Sequence, residues 1–202
     1  MKINFNIPTD GQFHQFCPQC NSEKIAKILK EEKVFYQCEN CKDVFPRLII
    51  IDPKINWWVD EATKEYWHEC VGVFVFNQAN KALFFERTHY PFVFTIPAGH
   101  VDVDETPEMA AKRELLEETG LTINNLKLIF DEDIVDDKCR RGADSHKWHL
   151  FVTKIYGLEN IKLNDEGLTP VWLSLEEVLR KEITNPLRYS INKYGNKLFE
   201  NL

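Results

Sequence analysis

Three glutamates, Glu114, Glu117 and Glu118, fall within five consecutive residues of a 202-residue chain. They lie in the stretch 99–121, GHVDVDETPEMAAKRELLEETGL, where five residues separate Gly99 from Glu105 and seven separate Glu105 from Arg113. A helix turns by about 100° per residue, so Glu117 and Glu118 lie roughly 60° to one side and 40° to the other of Glu114. Carboxylates crowded on one face repel, and one or more is driven towards its neutral form unless a cation lies among them. Ligands that are all oxygen favour Mg²⁺ or Mn²⁺ over Zn²⁺, and Mg²⁺ is commonly shared between carboxylates and substrate phosphates. The natural partner of such a cation is then a diphosphate. A solvated acidic helix would carry the same charge, but it would need neither Gly99 nor Glu105 at those distances.

The helix that must position these groups has its own signals. Thr106 is the expected N-cap, Pro107 the first helical residue, Glu108 a first-turn acid and Gly120 the stop. Ala111 and Leu115, four apart, provide the inward stripe.

A second set of chemical residues comes earlier. Cys17-Pro-Gln-Cys20 and Cys38-Glu-Asn-Cys41 are separated by 17 residues. Two such pairs bring four thiolates to one point, closing a tetrahedral structural Zn²⁺ site with no open position. Two disulfides or a redox pair are the alternatives, but a cytosolic chain keeps its thiols reduced and one pair would suffice for redox work. A module this small buries too little apolar surface to fold alone, so the metal supplies much of its folding free energy. Strands are expected over 24–29 and 33–37, turning at Lys30-Glu31-Glu32, with a third over 44–51. Lys24, Lys27, Lys30 and Lys33 are balanced by Glu23, Glu31, Glu32 and Glu39, which argues against a phosphate-binding face on this module.

The chain is 44% hydrophobic, and 25 basic against 32 acidic residues leave a net charge of −7. That suits a soluble globular protein and argues against nucleic acid and membrane surfaces as partners. The first residues lack an apolar signal region and the longest aliphatic run, 48–51, is too short to span a bilayer, so the expected location is cytoplasmic. Asp52-Pro53-Lys54 marks the boundary between a first module, 1–52, whose residues 1–12 read as a tail or loose arm, and a second, 53–202. In the second, strands are expected over 68–76, 81–87, 92–96, 126–135, 148–156 and 171–173. Ser174 caps a helix over 175–181, and 185–199 has helical spacing weakened by Tyr194 and Gly195. The fold class is α/β.

The stretch 99–121 resembles the Nudix box at every position that the family pattern fixes, and the resemblance extends over about 65–181. The cysteine module is similar to the ribbon of zinc-ribbon NADH pyrophosphatases, including Phe45-Pro46-Arg47 after the last cysteine pair. The resemblance implies a Nudix-type α/β/α sandwich with a mixed sheet, preceded by a small zinc ribbon. It also implies a metal-dependent pyrophosphohydrolase acting on a nucleoside diphosphate linked to another moiety, such as NADH or NAD, ADP-ribose or a nucleotide sugar. Carried over by position, Glu117 and Glu118 lead as Mg²⁺ or Mn²⁺ ligands, and Glu114 is a third ligand or the base. In some relatives a glutamate on a later loop is the base, the place taken here by Glu166. Arg113 and Glu105 would form a supporting ion pair, and the Gly99 carbonyl would add a metal ligand. Arg87, and Arg140 and Arg141 in a loop with Lys138 and Lys147, offer charge to phosphates.

One departure bears on substrate. The NADH pyrophosphatases carry a Ser-Gln-Pro-Trp-Pro-Phe-Pro type motif shortly after the box, and the stretch 121–151 lacks it. A broader set of nucleoside diphosphate derivatives is therefore expected. The alternative is a non-catalytic nucleotide or ADP-ribose sensor whose ribbon is an interaction module, against which the intact carboxylate set speaks. A homodimer is left open. Trp148, Phe92 and Phe94 read as core before stacking platforms. His68, His89, His100, His146 and His149 show no paired spacing with carboxylates that would make a transition-metal site, and Cys70 and Cys139 read as free thiols.

Overall fold

The computed structural model describes residues 1–200 except 2, 158 and 159. The first module contains β1 (His14–Phe16), the hairpin β2 (Ile25–Lys30) and β3 (Lys33–Cys38), then β4 (Val44–Phe45) and β5 (Ile49–Ile51). The expected strand over 44–51 is interrupted at Pro46, which has no N–H to continue a ladder. Its two pieces join different sheets: β4 completes β2-β3-β4, while β5 pairs antiparallel with β1. The two cysteine knuckles repeat one geometry. Asn21 N–H donates to Cys17 O at 3.0 Å and Lys42 N–H to Cys38 O at 2.9 Å.

The second module is built on an eight-stranded mixed sheet. Its strands are β6 (Trp57–Val59), β7 (Tyr66–Phe76), β8 (Ala82–Arg87), β9 (Phe94–Thr95), β10 (Ala98–His100), β11 (Lys127–Ile134), β12 (Ser145–Lys154) and β13 (Gly167–Leu173). The main path runs β11-β12-β7-β8-β13, with β6 and β10 also on β7 and β9 on β8. At its centre β7 and β12 run parallel, pairing Trp67 with Ser145 through to Phe76 with Lys154. Over Cys70–Phe76 of β7 and Leu150–Val152 of β12 both faces are apolar, as in a strand covered on both sides.

Helices complete the sandwich: α1 (Pro107–Thr119), α2 (Leu175–Leu179) and α3 (Asn185–Glu200). Strand periodicity of two divides the core. Val71, Val73 and Val75 face Ala111 and Leu115 of α1, whereas Phe74, Phe76, Trp148 and Leu150 face Leu187, Ile191 and Leu198 of α3. Gly195 does not break α3, and it lets the helix approach Leu175, whose Cδ1 would lie 3.3 Å from an added Cβ. The expected strand over 92–96 shrinks to β9, because Val93 is held in a turn by its N–H on Pro91 O at 3.0 Å.

The arm is not loose. Met1, Ile3, Phe5 and Ile7 pack on a core shared by Phe16, Ile49, Ile51 and Tyr66. The modules are stitched by main chain as well, with Leu48 N–H on Arg140 O and Ile50 N–H on Arg141 O, both at 3.0 Å. Tyr66 donates its hydroxyl to Ile50 O at 2.6 Å, and Val34 N–H reaches Thr88 O at 2.8 Å. Gly142 makes the loop's approach practicable: at φ +99° its backbone lies so close that a Cβ would stand 2.6 Å from Leu48 O.

Candidate active site

Helix α1 starts as its sequence dictates. Thr106 Oγ1 accepts Met109 N–H at 3.3 Å, Pro107 is at the start, and Gly120 closes the helix with its N–H on Leu116 O. Glu118 lies seven residues after Ala111 and three after Leu115, so it shares their buried stripe. Its Oε2 accepts the Ala98 N–H at 2.8 Å, which fixes the carboxylate beneath β10. Burial, opposed by that hydrogen bond and reinforced by the charges of Glu114 and Glu166, pushes its pKa well above the ordinary carboxylate range.

Glu114 is partly buried. Desolvation raises its pKa to about 6 despite the Arg113 guanidinium, whose Nη1 lies 2.7 Å from Glu114 Oε1. Glu117 is half exposed, with its Oε2 3.5 Å from Arg113 Nη1. Gly99 is where the helix and β10 meet: a Cβ there would fall 2.0 Å from Glu114 Cδ, so no larger residue fits while Glu114 keeps this position.

Arg113 ties the preceding loop to the helix. Its Nε and Nη2 donate to the two oxygens of Glu105 at 3.1 and 2.8 Å, and Nη2 also donates to His100 O at 2.9 Å. The Glu105 hydrogen bonds lead among the causes that raise the Arg113 pKa. Arg113 is thus fully employed in orienting its neighbours.

Glu166, from the loop before β13, comes to the same cavity. Arg140 Nη2 donates to its Oε1 at 2.8 Å. Burial works against the Glu166 charge, but Arg140, Arg87 and His89 outweigh it and hold its pKa below the ordinary range. The cavity, of about 270 Å³, is lined by Glu114, Glu117, Glu118 and Glu166 and by Arg87 and Arg140.

The cations of the 138–147 segment do not form one patch. Lys147 lies on β12 beside Asp131 at 2.9 Å, Lys138 pairs with Asp136 at 2.9 Å, and Arg141 reaches Asp52 at 2.6 Å. Charge was visible in the sequence, but the partners that absorb it were not. Trp148 is core and donates its Nε1–H to Asp137 at 2.7 Å, while Phe92 turns away to the ribbon ring of Phe35 at 5.1 Å. The histidines show no paired spacing with carboxylates in the sequence, but the fold brings three of them together. His68, His100, His146 and Cys139 converge, each with a ligand atom within 4.8 Å of the others, and His100, His146 and Cys139 line this cavity.

The four ribbon cysteines converge in the same way. Cys17 and Cys41 Sγ are 3.6 Å apart, as are Cys20 and Cys38 Sγ. Disulfide sulfurs would be about 2.05 Å apart. Four thiolates bound at about 2.3 Å in a tetrahedron stand about 3.8 Å from one another, so these residues fit Zn²⁺.

Glu114 and Glu118 also link cation binding to pH. With folded pKa values raised above the unfolded ones, they contribute stability that is present below about pH 4 and lost as pH rises through the folded values, about 6 for Glu114. A divalent cation that accepts their charge reverses this loss. Added Mg²⁺ should therefore raise the melting temperature clearly at pH 7.5 and much less at pH 5, as differential scanning fluorimetry would show. An equal shift at both values would detach Mg²⁺ from these two groups.

Fold and site together define an α/β/α sandwich with an acidic cleft, suited to a cation, at one end of a mixed sheet. Residues 67–194 match the family model described as the NUDIX domain, and the chain belongs to the Nudix family. The NAD-capped RNA hydrolase NudC of Vibrio cholerae is 29% identical over 118 residues, which are 58% of this chain and 36% of the relative. An RNA pyrophosphohydrolase of Wolbachia pipientis is 39% identical over 66 residues, 33% of this chain and 40% of the relative. The chain thus spans about a third of the length of NudC. Among solved structures, the NUDIX domain of Shewanella oneidensis NrtR complexed with ADP ribose superposes with a TM-score of 0.56 at 17% identity, covering 69% of this chain and 93% of that one. A MutT protein from Methanosarcina mazei gives 0.55 at 20% identity, covering 65% and 94%. These two likenesses show the fold. No helix among the described residues is long and apolar enough to cross a membrane.

Proposed function

We propose that this protein is a metal-dependent pyrophosphohydrolase that cleaves the diphosphate of a nucleoside diphosphate derivative. One observation carries the reading: four glutamates line a single cavity, and two of them are buried beyond what unpaired carboxylates tolerate. A nucleotide sensor has no use for such a set. Glu117 and Glu118, with the Gly99 carbonyl, are the residues that would hold Mg²⁺ or Mn²⁺, and Glu114 is either a third ligand or the base. When bound, the cation supplies charge neutralisation for the diphosphate as the phosphorus–oxygen bond breaks.

The chain's own groups do the rest. Ala98 N–H and Arg113 hold Glu118 and Glu114 in place before substrate arrives. Such preorganisation is worth most where water is displaced. Arg87 and Arg140 face the cavity and suit the non-bridging phosphate oxygens. Glu114, with its proton affinity near neutrality, and Glu166, held ionised beside Arg140, are the two candidates to take the proton of the attacking water. The base is the one whose glutamine variant removes the acidic limb of the pH–rate profile while leaving Mg²⁺ affinity unaltered.

The substrate is a nucleoside diphosphate joined to a second group, without specialisation for NADH. Arg140 and Arg141 offer no surface shaped for a nicotinamide ring, and the Pro/Trp-rich segment is missing from 121–151. The NudC likeness adds NAD-capped RNA to the substrates worth testing, although a net charge of −7 gives little to an RNA backbone beyond the cap. The test compares kcat/KM for NADH, NAD, ADP-ribose, a nucleotide sugar, NAD-capped RNA and 5′-triphosphate RNA under one Mg²⁺ condition. Cleavage of several small derivatives within a hundredfold of one another is expected. A hundredfold preference for NADH, about 2.7 kcal/mol, would overturn the broad reading. No cleavage of any member would overturn the activity.

A further inference from the structure

We propose that His68, His100, His146 and Cys139 form a second metal site, holding one Zn²⁺ beside the catalytic cavity. The fold assembles it from strand register. His68 on β7 stands directly opposite His146 on β12, and His100 on β10 stands opposite Cys70 on β7. Even-numbered residues of β7 share one face, so His68 and Cys70 point the same way. Cys139 arrives from the loop between β11 and β12 and closes the group.

Two of the separations are close to those of a tetrahedral sphere. His68 Nδ1 is 3.0 Å from His100 Nε2 and 3.7 Å from Cys139 Sγ. Two nitrogens held at about 2.0–2.1 Å from one ion at the tetrahedral angle stand about 3.3 Å apart, and a nitrogen and a thiolate about 3.6 Å. The three rings are mutually inclined by 50–74°, so they meet at a point instead of stacking. The ribbon cysteines show the same convergence at similar separations.

The surroundings also suit an ion. His68 is fully buried, and its Nδ1 is the nitrogen turned towards His100 and Cys139. One cation would engage all four groups at once. Asp137, buried and already accepting Trp148 Nε1–H, lies 2.9 Å from His146 Nδ1. Three nitrogens and one thiolate match the preferences of Zn²⁺, and four protein ligands leave no open position, so the ion is structural.

Its place gives it a purpose. It would pin the 136–144 loop to β7 and to β10, and so to both sides of the cavity. From that loop Arg140 holds Glu166, and next to His100 stands Gly99. His68, His100, His146 and Cys139 are thus positioning residues, not catalytic ones.

The experiment is a metal count on the full chain purified with zinc in the medium and then desalted. Two Zn²⁺ per chain are expected, falling to one in Cys139→Ser and, independently, to one in Cys38→Ser. Circular dichroism would verify that each variant is folded. Should Cys139→Ser fail to fold, Co²⁺ titration of the metal-free wild type decides. Two saturating steps are expected, one with the absorption of a four-thiolate site and one with that of a single thiolate. One Zn²⁺ per chain with a single Co²⁺ step of four-thiolate character would overturn the site, and so would a count of two that Cys139→Ser leaves unchanged. Because the readout is metal content, it is separable from loss of hydrolysis.

Discussion

Glu118→Gln should abolish most of the turnover while leaving the protein as stable as before or more so. The two halves of that result have one cause. Glu118 is buried on the apolar stripe of α1, where a carboxylate is costly unless a cation shares its charge. Glutamine is nearly the same shape, and its side-chain oxygen can keep accepting the Ala98 N–H now given to Glu118 Oε2 at 2.8 Å. Without added Mg²⁺ at pH 7.5, the variant escapes the cost of ionising a buried acid, so its melting temperature should equal or exceed that of the wild type. It loses, however, one anionic ligand for the cation that neutralises the breaking diphosphate. That contribution is several kcal/mol, so kcat should fall by about 10² to 10⁴ at saturating Mg²⁺. Thermal melting and steady-state kinetics on the same preparation separate the effects. Near-normal turnover would remove Glu118 from the metal-binding set, and a collapsed melting temperature would mean that the carboxylate supports the fold in a way the amide cannot.

The features legible in the sequence are those that local spacing determines. Thr106, Pro107 and Gly120 delimit α1 because caps act within one turn, and Ala111, Leu115 and Glu118 share a stripe because helical rotation puts them there. The two cysteine pairs were legible for the same reason. Strand β10 was not: Ala98-Gly99-His100 contains no strong β-former and becomes a strand only because β7 offers an edge at Cys70, Val71 and Gly72. The histidine–cysteine group depends on that pairing and on the parallel register of β7 with β12, both non-local. A sequence scan for metal spacing therefore passes over His68, His100, Cys139 and His146. Knowledge of the register would have found His68 facing His146. Arg140 and Arg141 illustrate the converse. Their charge was plain, but only the structure shows that Glu166 and Asp52 already hold it.

The ribbon makes the second large prediction, because it is bound into the catalytic domain and not hung from it. Removal of one of four thiolates by Cys38→Ser should release the ribbon Zn²⁺, since three ligands on a small module no longer offset the ordering of its knuckles. Structural zinc in isolated fingers is worth about 10–16 kcal/mol of apparent folding free energy, so even a fraction of that is large for one domain. At about 2–4 °C per kcal/mol for a chain of this size, the melting temperature should drop by about 10 °C or more. The loss has a route to the active site. Strand β5 and the residue before it accept the 136–144 loop through Leu48 N–H on Arg140 O and Ile50 N–H on Arg141 O. Arg47 donates to Cys139 O and Ala143 O of the same loop, each at 2.8 Å. If the ribbon loosens, Arg140 loses its anchorage and Glu166 its partner, while Glu114, Glu117 and Glu118 stay on an intact helix. Stability should therefore fall more than chemistry does, and the kinetic change should appear in KM before kcat. Thermal melting with zinc analysis, followed by kinetics well below the new melting temperature, tests the chain of effects. An unchanged melting temperature in protein that has lost the ribbon Zn²⁺ would show that the docked apolar surfaces, from Phe16 and Ile49 to Tyr66, hold the two modules together without the metal.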